Sequence, residues 1–237
     1  MPALHNAIVL VTGANGGIGR ELVADALARG AARVYAAART PRTWEDPRVV
    51  PLTLDVTDPA SVRAAAEAAS DVTVVINNAG ANPPTASLVD IDEADIVANM
   101  EVNFFGPVRV ARAFAPLIEG RPGAALVDIH SIASWYAFGG VYSASKAALW
   151  SATNSLRLEL GPRGVHVLGV HMGYVDTPMA AHASGPKLTT ADLVAQVFDA
   201  LEAGRFEVLA DEQTRQVRAG LAQPVEALYP EVLAPSE

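Results

Sequence analysis

Tyr142 and Lys146, four residues apart, are the pair in this sequence best spaced to move a proton. If a helix opens at Tyr142, both side chains lie on one face, about one turn apart. A free phenol ionises at a pH of about 10 and exchanges protons poorly at neutral pH, but a neighbouring ammonium stabilises the phenolate and brings that value toward the working range. Upstream, Ser131 ends an apolar run, Ala124 to Ile129, where its hydroxyl would polarise a substrate carbonyl. Ser134 is near enough in the chain to compete for part of that role. A Tyr-x-x-x-Lys spacing by itself is a common surface coincidence, so its weight depends on what accompanies it.

A second chemistry lies near the start of the chain, in Thr12-Gly13-Ala14-Asn15-Gly16-Gly17-Ile18-Gly19. Glycines between a strand and a helix let backbone N–H groups approach a pyrophosphate, with the positive end of the helix dipole facing the anion. The bland alternative is a tight strand-to-helix turn. The apolar run Ala7 to Val11 before the loop, and the helical spacing of Ile18, Leu22, Val23, Ala26 and Leu27 after it, favour a dinucleotide cradle. Gly30 stands where that helix would end.

These groups need a scaffold, and the pattern supplies one. Arg33 to Ala38, Val50 to Leu54, Val72 to Ile76, Ala124 to Ile129 and Val165 to Val170 read as strands, with an alanine-rich helix from Pro59 to Ala69. Strands alternating with helices imply right-handed crossovers and helices on both sides of a parallel sheet. The expected fold is therefore α/β: one doubly wound, Rossmann-type domain over residues 1–237, with about seven parallel strands. Ser131 would sit on the carboxyl edge, where ligands gather in such sheets. The loop Thr177 to Leu188, rich in Ala, Gly and Pro, and the tail beyond Asp211 carry little pattern. Residues 178–190 are expected to form a mobile substrate loop.

Composition narrows the partners. The 237 residues are 51% hydrophobic, enough for a sizeable core. With 17 Lys and Arg against 26 Asp and Glu, the net charge is −9, which leaves no basic footprint for nucleic acid. There are no cysteines, so disulfides and thiolate metal sites are excluded. His130, His171 and His182 lack metal-ligand spacing, and no metal is expected. No apolar stretch approaches the length of about 20 residues that a bilayer requires. With no basic n-region at Met1-Pro2-Ala3-Leu4-His5-Asn6, a cytoplasmic location is expected.

The glycine loop follows T-G-x-x-x-G-x-G rather than G-x-G-x-x-G, and with Asn77-Asn78-Ala79-Gly80 and Tyr-x-x-x-Lys in the same order the chain resembles the short-chain dehydrogenase/reductase family. The likeness runs over about residues 7 to 210. It implies Tyr142 as general acid, Lys146 holding nicotinamide ribose hydroxyls, Ser131 orienting the carbonyl, and Asn103 holding a water for proton relay. It also implies cofactor contacts at Gly13, Asn15, Gly17, Ile18, Gly19, Asp55, Val56, Asn78, Ala79, Gly80, Val175 and Thr177. Asp55 either accepts from the adenine amino group or simply caps the next turn. Where an acidic residue would take ribose hydroxyls, the second strand instead ends in Arg39, with Arg42 a weaker second candidate. A guanidinium there suits a 2′-phosphate, favouring NADP(H) over NAD(H), unless Arg39 is an ordinary solvated charge. Gly16 departs from relatives that prefer NADP and often carry a basic residue there.

Two further departures concern the site. The Ser131 to Tyr142 interval is about two residues shorter than usual, and Met172 replaces the proline that would stiffen the loop after the sixth strand. Trp135, Tyr136 and Phe138 either line a substrate wall or pack as satellite core. Ala144, Ala148, Ser151, Ala152 and Ser155 form a stripe of small residues that contacts either the chain's own sheet or, with the helix Pro107 to Ile118, a second copy in a homodimer or homotetramer. The expected function is hydride transfer between nicotinamide and a small-molecule carbonyl or secondary alcohol. The rival is a catalytically silent dinucleotide-binding redox sensor or regulator.

Overall fold

Strand burial separates the middle of the sheet from its margins in this computed structural model, which describes residues 2–230. The strands β1 (Ile8–Thr12), β2 (Arg33–Ala38), β4 (Val74–Asn77), β5 (Ala125–Ile129) and β6 (His166–His171) are buried almost throughout. Runs of Val, Ile, Leu and Ala suit positions covered on both faces. By contrast β3 (Val49–Thr53) buries only Val49, and β7 (Glu207–Leu209) buries only its middle residue. These are the edges of a seven-stranded parallel sheet ordered β3-β2-β1-β4-β5-β6-β7. Pro51, which has no N–H to give, is tolerated on edge strand β3.

Sheet order reverses between β1 and β4. The chain begins at the centre, runs outward to β3, then crosses back, so loops leaving β1 and β4 diverge and open a crevice at the carboxyl edge. One face is covered by α1 (Gly17–Ala28) and α6 (Thr190–Glu202), with Leu22, Val23, Val197 and Phe198 in the core. The other face carries α2 (Pro59–Ala68) and α4 (Gly106–Ile118), which contribute Val62, Val110 and Phe114. On that second face α5 (Val141–Leu160) adds Leu160 to the core and packs against α3 (Glu93–Met100), and the chain continues into α7 (Glu212–Gly220) and α8 (Val225–Leu228).

Local chemistry sets the boundaries. Asp58 caps α2 by accepting from the Ala60 amide at 2.8 Å, ahead of Pro59 at the first turn. After α1 the chain leaves through Gly30 at φ +89°, as its position in the sequence predicts. Two features were not legible. The predicted helix from Pro107 is preceded by a wide π turn, Glu101–Phe105, that joins it to α3. Beyond Asp211 the tail forms α7 and α8; residues 231–237 and Met1 of the expected 1–237 domain lie outside the described residues. Among the described residues no helix is long and apolar enough to cross a membrane, and no cluster of His, Asp and Glu could hold a metal.

Phe114 is fully buried beneath α4. Phe114→Ala should lower the unfolding free energy by about 3 to 5 kcal/mol, measured by chemical denaturation of the parent and the variant.

Candidate active site

The crevice is built around a tie between β1 and β4. Thr12 Oγ1 donates to the Ile76 carbonyl at 3.3 Å and accepts from the amides of Asn78 and Ala79, both at 3.0 Å. The Asn78 amide returns to the carbonyls of Thr12 and Gly13, at 2.9 and 3.2 Å. The loops therefore nearly touch: a Cβ on Gly13, whose φ is +67°, would stand 2.9 Å from Ala79 Cα. A Cβ on Gly19 would stand 2.2 Å from the Gly13 carbonyl oxygen, and one on Gly17 2.9 Å from Thr177 Cγ2. These glycines make a narrow cradle at the start of α1, which carries Ile18. The fit to a pyrophosphate rests on this bare backbone facing the helix N-terminus.

At the outer end of the cradle Arg39 is exposed just past β2. Asn15 contributes through its side chain, donating to the Thr40 carbonyl at 2.7 Å and accepting from the Arg42 amide at 3.4 Å. It thus pins the turn that carries Arg39. The Arg42 guanidinium lies 4.9 Å from the centre of the Trp44 ring. Asp55 Oδ1 accepts from both the amide and the hydroxyl of Thr57, at 2.9 and 2.7 Å, as a turn cap does. These bonds hold its carboxyl below the usual range, with help from Arg39. Val56 is buried against Gly106, so its side chain belongs to the packing.

Deeper in, helix α5 places Tyr142 and Lys146 on one face, the ammonium 5.8 Å from the centre of the phenol ring. Ser131, in extended backbone at the end of β5, lies near enough to the Tyr142 phenol to lower its pKa and accepts from the Ala133 amide at 3.1 Å. Ser134, the competing serine, is buried with no partner for its hydroxyl. A Cβ on Gly80 would lie 3.9 Å from Lys146 Nζ and 3.4 Å from Asn103 Oδ1, so the end of β4 meets both.

Electrostatics differ from the sequence expectation. Burial pushes the Tyr142 phenol above its ordinary value, only partly offset by the neighbouring Ser131 hydroxyl. The ammonium does not bring it down: Lys146 is itself buried, donates to the Ile129 carbonyl at 2.8 Å, and is pulled down to about 8 by desolvation. Its principal counter-charge is Asp128, a wholly buried carboxyl that desolvation pushes up. Asp128 is held by Asn77 Nδ2 at 2.9 Å and Thr153 Oγ1 at 2.7 Å.

Other expected residues are placed as follows. Asn103 sits in the π turn, where its amide is spent on both backbone groups of Ala81, on Asn99 and on Ser145, at 2.9 to 3.1 Å. The amide expected to hold a water acts here as a tether between the β4 exit and α5. Thr177 lies against the glycine loop, its hydroxyl donating to the Val175 carbonyl at 3.3 Å. Trp135 turns inward, stacked 4.0 Å from His171 and edge-on to Trp150, so the substrate wall loses it to packing. Phe138 remains 43% exposed and faces Tyr174, 37% exposed, at 6.3 Å.

The loop after β6 is not slack for want of proline. Met172 gives its carbonyl to the Ile132 amide at 2.7 Å, and Gly173 donates to Asp211 at 2.7 Å. Sequence reasoning missed Asp211, which also caps α7. Its position before a helix-like stretch was the available signal. It also missed Tyr174 and the packing of Ala86 onto Gly140, where a Cβ would come within 2.1 Å of the Ala86 carbonyl oxygen.

Known proteins resemble this chain in sequence and fold. The sequence profile described as short chain dehydrogenase matches residues 7–187. The NADPH-dependent 1-acyldihydroxyacetone phosphate reductase of Schizosaccharomyces pombe is 37% identical over 75% of this chain, which spans 62% of that relative's length. The 1-deoxy-11-beta-hydroxypentalenate dehydrogenase of Streptomyces avermitilis is 36% identical, covering 90% of this chain and 88% of its own. A short chain dehydrogenase from Burkholderia cenocepacia, solved in complex with NADP, superposes with a TM-score of 0.90 at 34% identity, covering 98% of this chain and 100% of its own.

The glycine geometry yields a paired test. Gly19→Ala should lower the melting temperature, because its new methyl collides with the Gly13 carbonyl. Gly16→Ser should leave it unchanged or raise it, since a Cβ there meets nothing within 4 Å and serine is a good N-cap for α1. Thermal denaturation followed by circular dichroism compares the two.

Proposed function

The chain belongs to the short-chain dehydrogenase/reductase family of oxidoreductases, and from that premise we propose that it interconverts a carbonyl compound and its secondary alcohol with NADP(H), Tyr142 exchanging the proton. The observation that carries this reading is the convergence of Ser131, Tyr142 and Lys146 beside Gly80 at the sheet's reversal point. Bound in the glycine cradle, the nicotinamide cofactor supplies or accepts the hydride. Burial keeps the Tyr142 phenol protonated at neutral pH, the state needed to donate to a developing alkoxide. Ser131, beside that phenol, can present its hydroxyl to the same oxygen. Lys146 is the mobile cation: its bond to the Ile129 carbonyl can be exchanged for ribose hydroxyls, with Asp128 behind it favouring the charged form. Asn103 keeps the β4 exit against the α5 turn that bears Tyr142 and Lys146.

Arg39, on a turn pinned by Asn15, reads the 2′-phosphate, which makes NADP(H) the preferred cofactor. Gly13, Gly17, Ile18 and Gly19 give backbone to the pyrophosphate, Asn78, Ala79 and Gly80 border the adenine ribose, and Val175 and Thr177 hold the carboxamide. Phe138 and Tyr136 face the substrate. So does the segment 178–190, whose base is fixed by the Asp176 to Leu188 and Leu188 to Tyr174 backbone bonds while Met179 stays 45% exposed. On α5, Ala144, Ser151 and Ser155 are exposed alongside Leu158 at 80%, a surface for a second copy in a homodimer or homotetramer. A silent sensor would need only the cradle; a serine hydroxyl beside a half-buried phenol, with an ammonium on the same helix face, favours turnover.

Tyr142→Phe should reduce kcat for ketone and aldehyde reduction by a factor of about 100 to 10,000 while the dissociation constant for NADPH stays the same by fluorescence titration. Arg39→Asp should weaken NADPH by about tenfold and spare NADH; a parent that already prefers NADH refutes the cofactor assignment. Because the Lys146 ammonium is lost as pH rises through about 8, NADPH affinity should decline across that range in the parent and stay level in Lys146→Met.

A further inference from the structure

Residues from three distant parts of the chain meet over the loop that joins Ser131 to Tyr142. Helix α8 delivers Tyr229, whose ring stacks on Tyr136 with centroids 5.0 Å apart and planes 9° from parallel. Its hydroxyl accepts from the Ala137 amide at 2.9 Å and donates to the Trp135 carbonyl at 3.3 Å. Among the described residues neither backbone group has another partner. One side chain therefore holds three consecutive residues, 135 to 137, in the middle of a loop whose ends are the proposed serine and tyrosine.

Apart from the inward packing of Trp135 on His171 and Trp150, the loop's other bonds gather toward its two ends. At the serine end, the Trp135 and Tyr136 amides both donate to the Ile132 carbonyl at 3.0 Å. At the tyrosine end, Ser143 Oγ accepts from the Gly139 amide at 3.0 Å and donates to the Tyr136 carbonyl at 3.2 Å. Between them stands Phe138, its ring 6.0 Å from Tyr136 and 6.3 Å from Tyr174. A displacement of Tyr136 is thus passed on to Phe138, which with Tyr174 and Met179 presents exposed apolar surface at the entrance. Among the described residues no Lys or Arg stacks over the Tyr136, Phe138 or Tyr174 rings, so the surface suits an uncharged, bulky apolar carbonyl.

We propose that Tyr229 is a positioning residue: by clamping residues 135 to 137 it sets the place of Phe138, and so the affinity of the site for bulky apolar carbonyl substrates. The assignment rests on the oxidoreductase reading for its substrate, and on geometry alone for the clamp. It accounts for how a shortened Ser131–Tyr142 connection keeps one shape, since the C-terminal segment supplies bonds that the loop cannot make for itself. Tyr229 does not reach the reacting atoms; its effect is on substrate binding and leaves the proton transfer alone.

The test uses the full chain and the variants Tyr229→Phe, which keeps the ring stack and removes both hydrogen bonds, and Tyr229→Leu, which removes all three contacts. Hydrogen exchange should accelerate at the Ala137 amide in both. With NADPH, KM for 2-decalone should rise by about tenfold in Tyr229→Phe and further in Tyr229→Leu, while KM for propanal, kcat and NADPH affinity are retained. Unchanged exchange at Ala137, an equal rise in KM for both carbonyls, or a parallel loss of NADPH affinity would each overturn the proposal. Should Tyr229→Leu fail to fold, Tyr229→Phe decides alone. A parent that reduces neither compound refutes the oxidoreductase reading instead; calorimetric binding of 2-decalone to the NADP⁺-loaded protein then decides the clamp, weaker binding in Tyr229→Phe supporting it and equal binding overturning it.

Discussion

The hydroxyl of Thr12 does more for this structure than its size suggests. It bonds a carbonyl of β4 and two amides of the Asn-Asn-Ala-Gly turn at once, closing the gap between the two strands where sheet order reverses. Buried backbone groups must find partners, and loops diverging from neighbouring strands leave theirs unmatched. Thr12 and Asn78 supply those partners from side chains, and the approach they enforce leaves Gly13 and Gly19 no room for a Cβ. The same tie brings Gly80 beside Lys146 and Asn103. The glycine loop's close packing and the approach of Gly80 to Lys146 thus share one contact between β1 and β4.

Beneath the site runs a polar layer that never reaches solvent. Asp128, His130, Thr153 and His171 are all buried, and desolvation drives the carboxyl up and both imidazoles down, His171 to about 3. Burial favours the uncharged form of each. Thr153 Oγ1 has one proton for three neighbours, Asp128, His130 and the Leu149 carbonyl, at 2.7 to 3.2 Å. This couples the titration of Asp128 to His130, and Asp128 in turn faces Lys146. The cation of the site is therefore supported by a hydrogen-bonded network, one whose charge depends on how well its protons are shared.

Legibility followed periodicity. The β2 boundaries, Arg33 to Ala38, and the α2 start at Pro59 emerged because an apolar run closed by Arg-Thr, and an Asp-Pro pair before alanines, admit few other structures. Tyr142 opening a helix with Lys146 on the same face was also readable, because a four-residue interval on a helix has one geometry. The π turn at Asn103 was not: nothing in Glu101 to Phe105 distinguishes it from ordinary helix, and the widening accompanies bonds from Asn103 to Ala81 and Ser145, both remote in sequence. The same holds for Trp135, whose inward turn is set by His171 and Trp150, and for the regions around Asp211 and Tyr229.

The alternation of strands and helices, the glycine loop and the reactive pair were written in local pattern, because they depend on residue spacing along one strand, turn or helix. Side-chain direction and charge state were decided only when distant segments came together. Whether a phenol is raised or lowered depends on the dielectric around it and on which partner its neighbour chooses, and here Lys146 chose the Ile129 carbonyl. Spacing determines which groups can meet; packing determines what each of them gives up to do so.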